Sequence, residues 1–181
     1  MKKILLIILT SIAVAIATAA CSSLKLTPEQ KAEKAARDSA EHVMALTLLE
    51  GRQFMLKADR VHFGSGNVAQ VTPNTNFFMM RGDYAMLQIA PKVGGGINGV
   101  GGVTFEGTVS NYKSTTDKKG ETFITFNLSK GGLRANISIT LPASNGYASL
   151  RAQMDTRRYN ATINGYIEPY DPSTVVDGVT L

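Results

Sequence analysis

The chain has 181 residues, 44% of them hydrophobic and 18% charged, with a net charge of +5 and a single cysteine. That length and apolar share suit one packed domain with an appendage. The charge is modest and its basic residues are scattered, which gives no electrostatic footprint for nucleic acid. One cysteine excludes an internal disulfide framework.

The chain opens on Lys2 and Lys3, an apolar run from Ile4 to Ala17, and the small residues Thr18, Ala19 and Ala20 ahead of Cys21. A charged start, a short apolar stretch and small residues at the cut make residues 1–20 a secretory signal peptide. The apolar run of about 14 residues is too short to span a bilayer core that needs about 20. Ala19-Ala20-Cys21 resembles a lipobox, although Thr18 stands where many lipoboxes carry Leu. The expectation is a lipoprotein cut before Cys21, with diacylation of its thiol and palmitate-like chains binding the protein to a membrane. Acidic residues behind the cysteine would resemble a surface-export signal, and Ser22-Ser23-Leu24-Lys25 has none. The expected address is the cell envelope, on the periplasmic face of the outer membrane.

Residues 21–26 read as a lipidated tether, and 27–181 as a single β-rich domain that begins with a helix. Thr27-Pro28-Glu29-Gln30 has the composition of a capping box with Pro at the first helical position. The following Ala-, Glu-, Lys- and Leu-rich run continues to Glu50, and Gly51 supplies a stop. Ala36, Ala40, Val43, Leu46 and Leu49 recur at helical spacing, which predicts docking of the later turns and solvation of the first ones.

From Arg52 the apolar period becomes two. Predicted strands cover Gln53 to Asp59, Phe77 to Met80, Tyr84 to Ile89, Val103 to Val109, Ile124 to Leu128, Leu133 to Leu141, Ala148 to Met154 and Tyr159 to Ile167. Turn signals such as Asp117-Lys118-Lys119-Gly120, Gly131-Gly132 and Ser144-Asn145-Gly146 separate them, and short turns make neighbours antiparallel. The fold class expected is mostly β: an N-terminal helix packed on a curved antiparallel meander of about eight strands, as an open sheet, a sandwich or a small barrel.

Several segments are similar to one known family. They are the charged helix ending near Gly51-Arg52-Gln53-Phe54, the Gly82-to-Ala85 segment, Gly102-Val103-Thr104-Phe105-Glu106-Gly107, Asn145-Gly146-Tyr147-Ala148, Arg157, Tyr159 and Gly165-Tyr166-Ile167. Together with the leader they resemble the Bacteroides-type lipoproteins of domain-of-unknown-function family 4251, over roughly Ala36 to Pro169. Leu87-Gln88-Ile89-Ala90-Pro91 departs from the Leu-Pro-Tyr-like stretch of that family. The resemblance implies an envelope compartment and a β-rich fold, and it transfers no catalytic residue.

Motifs with chemical meaning are few. Gly94 to Gly99 spells G-x-G-x-x-G, but a strand start follows it where a dinucleotide site needs a helix, so no cofactor is expected. Arg81-Gly82-Asp83 is ordinary hairpin chemistry. His42 and His62 are the only histidines, too few for a metal site that wants three or four convergent ligands. No Gly-x-Ser-x-Gly elbow and no free cysteine nucleophile supports an acyl-transfer enzyme. Asn127, Asn136 and Asn160 each start an N-x-S/T triplet and read as polar positions on exposed strand faces. Arg134, Arg151, Arg157, Arg158 and Tyr166 fall on consecutive C-terminal strands and their corner, which makes them a candidate binding face. The reading is a non-enzymatic binding module for an envelope protein or a small ligand; the alternative is an envelope hydrolase whose site assembles only in the fold.

Overall fold

The computed structural model describes residues 26–64, 66–90, 103–155 and 160–175. Its contacts divide the chain into two units, Met1–Ala36 and Arg37–Leu181. The expected capping box is present: Gln30 N donates to Thr27 Oγ1 at 3.2 Å, and Thr27 N donates back to Gln30 Oε1 at 2.9 Å. These bonds satisfy two of the donors that every helix start leaves open. Among the described residues the one long helix, α1, runs from Pro28 to Glu50. Residues 26–37 are exposed, and burial begins with Asp38, Glu41 and His42 and is complete at Ala45 and Leu49.

The docked stripe therefore differs from the predicted one. Val43 is 59% exposed, and the inward row passes through His42, Ala45, Leu46 and Leu49 instead. The helix also ends differently. Gly51 N bonds Thr47 O at 2.9 Å, and the left-handed residue that turns the chain is Arg52, at φ 51°. A non-glycine residue in that region is strained. Arg52 is held there by an ion pair to Asp83 at 3.1 Å and by its guanidinium, 4.3 Å from the centre of the Tyr112 ring.

Among the described residues nine strands follow: β1 (Gln53–Phe63), β2 (Val68–Gln70), β3 (Phe77–Arg81), β4 (Tyr84–Ile89), β5 (Val103–Thr116), β6 (Thr122–Lys130), β7 (Leu133–Leu141), β8 (Tyr147–Met154) and β9 (Asn160–Pro169). All pairings are antiparallel and, apart from β2, each strand pairs with the next in the meander. β9 then pairs with β1, placing Leu56 opposite Ile167 and Val61 opposite Ile163. Of the three architectures expected, the closed barrel is the one formed, with eight strands and β2 as a short addition on β1. Gly165 sits at the seam, where a methyl group would run into the Lys57 carbonyl.

The apolar residues of the period-2 pattern point inward and fill the barrel. Phe54, Phe78 and Phe126 form a chain of rings 5.8 Å apart, and Tyr112 stacks on Phe126 at 5.7 Å. Ala45 and Leu49 of α1 belong to the same core. The helix from Arg37 onward lies against one mouth: His42 Nδ1 is 3.4 Å from Asn145 O at the β7–β8 turn, and Tyr112 on β5 donates to Leu49 O at 2.8 Å. A smaller core lies on the outside of β1, β3 and β4, where Met55, Phe77, Met79 and Met86 pack with Tyr170 and Val175. This is why β3 is buried on both faces from Phe77 to Met80.

Candidate functional site

The outward side chains of β5 to β8 form an open groove of about 490 Å³, within the size range of ligand sites. Register builds it. Lys113 on β5 stands opposite Thr125 on β6, Thr125 opposite Ser138 on β7, and Ser138 opposite Arg151 on β8. One step along the same face, Asn127, Asn136 and Gln153 are mutual neighbours, and Asn160 of β9 continues the row. Directly opposed side chains in such a sheet stand about 5 Å apart, and successive rows about 7 Å. A bed of hydroxyls closed by two cations therefore lies beside a bed of carboxamides.

The β5 side of the groove depends on a bulge. Between Ser110 and Lys113 the register shifts, and Asn111 takes φ 58°. The extra residue lets Tyr112 turn into the barrel while Asn111 lines the groove. Asn tolerates this left-handed backbone better than most residues, and bulges commonly re-aim a side chain in this way. At the far end of the amide row, Asn160 Oδ1 is buried with no hydrogen-bond partner.

The predicted binding face is only partly brought together. Arg151 lines the groove. Arg134 lies four residues from Ser138 along β7, in a second hollow with Asp155 and the Gly131-Gly132 turn. Tyr166 is placed opposite Tyr147 and Lys57, four residues from the Thr162 that pairs with Arg151. The three form a diagonal across β7, β8 and β9, with steps of roughly 13 Å along the strands. Arg157 and Arg158 lie outside the described residues, as do Cys21 and Gly94 to Gly99. The sequence reading missed Lys113, Thr125, Gln153 and Asn111 as site residues. Its N-x-S/T triplets were the available signal: the two-residue Gly131-Gly132 turn fixes Asn127 opposite Asn136.

The chain has a clear match among known proteins. A family model described as a domain of unknown function, DUF4251, matches residues 36–167. The chain belongs to the DUF4251 family. A crystal structure of a DUF4251 family protein from Bacteroides eggerthii is 34% identical, covers 74% of this chain and 91% of that one, and superposes with a TM-score of 0.64. No curated protein matches the chain.

Two other polar clusters decorate this DUF4251 barrel. Glu106 accepts hydrogen bonds from Lys130 Nζ and from the Tyr84 hydroxyl. These two bonds, Lys130's first, hold its carboxyl below the ordinary 4.5, so it stays ionised at neutral pH. Tyr147 donates to Asp59 at 2.7 Å and packs edge-on to Tyr166, with ring centres 5.1 Å apart. Desolvation and the Asp59 bond push the Tyr147 phenol up to about 12. His42 and His62 lie in different elements, and among the described residues no three His, Cys, Asp or Glu side chains gather into a metal-holding group. Among the described residues no helix is long and apolar enough to cross a membrane.

Proposed function

We propose that this DUF4251 protein is a non-enzymatic binding module, held on the periplasmic face of the outer membrane by acyl chains on Cys21. It meets its partner, an envelope protein or a small ligand, with the outer wall of the barrel. The observation that carries the binding role is the composition of the wall groove, where carboxamides, hydroxyls, Lys113 and Arg151 stand around Phe126 and Ile137. Groups of this kind hold a ligand by hydrogen bonds and charge. A hydrolase would want a carboxylate or imidazole converging there as acid or base. The inward side chains form a packed core, and the wall groove offers polar and charged groups on the outside of the barrel. The leader ending in Ala19-Ala20-Cys21 supports the anchor.

The test is purification from native membranes, followed by intact mass and identification of whatever co-elutes. An acylated chain beginning at Cys21, lost from the membrane fraction in Cys21→Ala, is the expected result. A stoichiometric companion should be shed when Arg151→Ala opens one end of the groove. An unacylated product overturns the anchor, and an acylated chain that never carries or captures a companion overturns the binding role.

A further inference from the structure

We infer that the groove across β5 to β8 is a receptor site for an acidic carbohydrate, a polyhydroxylated chain bearing carboxylate or sulfate groups. This rests on the binding reading above and specifies its ligand. Lys113 and Arg151 stand at opposite ends of one cross-strand row, three strand spacings or roughly 14 Å apart along the wall. Neither forms an ion pair with a described residue. Two uncompensated cations at that spacing suit negative charges repeated along a chain better than one compact anion.

The row beside them supplies the recognition of a sugar. Asn127, Asn136 and Gln153 make no side-chain hydrogen bond to another described residue. A carboxamide both donates and accepts in one plane, which matches the adjacent hydroxyls of a sugar, each also donor and acceptor.

An acidic peptide is the competing ligand. Extended peptides add to a free sheet edge through main-chain bonds; β6, β7 and β8 are paired on both sides, whereas β5 beyond Val109 is paired with β6 alone. Between the cations the groove presents hydroxyls and amides beside Phe126 and Ile137, and the peptide arm of the titration below decides between the two ligands.

The experiment is calorimetric titration of the full chain in detergent with tetragalacturonate, with a sulfated tetrasaccharide, with fully methyl-esterified tetragalacturonate, and with a tetraglutamate peptide. At least one acidic sugar is expected to bind, tenfold or more tighter than the ester and the peptide, and more weakly as salt rises. The double variant Lys113→Gln, Arg151→Gln should lose tenfold or more, and Asn136→Ala several-fold, with thermal midpoints unchanged. Equal binding of the neutral ester overturns the acidic assignment while leaving the wall a binding site. Equal binding of the peptide, or acidic binding untouched by the variants, overturns the site. Failure of every probe overturns the carbohydrate assignment, while capture of a native companion still judges the binding role separately.

Discussion

Tyr112 shows how a single side chain ties the site to the fold. The bulge that places Asn111 in the groove turns Tyr112 inward, where its ring stacks on Phe126 and its hydroxyl donates to the Leu49 carbonyl near the end of α1. Burial pushes the phenol up from 10.0 to about 12, partly opposed by the nearby Arg52 charge. The folded state thus favours the protonated phenol. The stability this contributes is complete below pH 10, where the unfolded phenol is also protonated, and is lost as pH rises from about 10 to about 12. Tyr112→Phe removes one hydrogen bond, at a cost of about 1 kcal/mol near neutral pH. It should also make the alkaline fall in stability shallower, with Tyr147 still contributing. Urea midpoints at pH 7, 10 and 11 measure both effects; parallel alkaline falls in the two proteins would show that Tyr112 is not responsible.

At the level of elements, α1 closes the barrel mouth with few residues. Leu49 is 1% exposed within the core and Val43 is 59% exposed, although both lie on the apolar row read from helical spacing. Leu49→Ala should cost about 2–5 kcal/mol, as truncation of a core leucine does. Val43→Ala should stay within about 0.5 kcal/mol. Equal losses in urea denaturation would contradict this docking. The misplacement has a physical origin. Spacing identifies apolar residues, while the choice of inward row is made by partners far along the chain: Asn145 beside His42, and Tyr112 bonded to Leu49. The strands were legible because one face of each is buried and the other solvated, as in Leu133–Leu141. Legibility failed at the bulges. β1 continues past Asp59 to Phe63, and β5 past Val109 to Thr116, because the register shifts there break the period of two. Of the groove, Arg151 was visible as a candidate and the three Asn-x-Ser/Thr positions as exposed polar sites. Their union into rows is a product of register across four strands, which composition does not carry.

Closure is the property of the whole molecule that no local pattern encodes, since inward residues alternate alike in an open meander and in a barrel. The seam joins residues about 110 positions apart, Leu56 with Ile167, so it forms against a large loop entropy and late contacts of this kind slow folding. It also changes which backbone groups meet water. In an open sheet β1 and β9 would be edges for most of their length, and every second amide of β9 would face solvent unpaired. In the closed barrel the alternate amides pair with β1, and Gly165 keeps the two backbones in close approach. Amide exchange followed by NMR should therefore show continuous protection from Ile163 to Ile167, comparable with Ile137 and Ile139 in the middle of the meander. A protected-unprotected alternation along β9 would mean that the seam opens in solution.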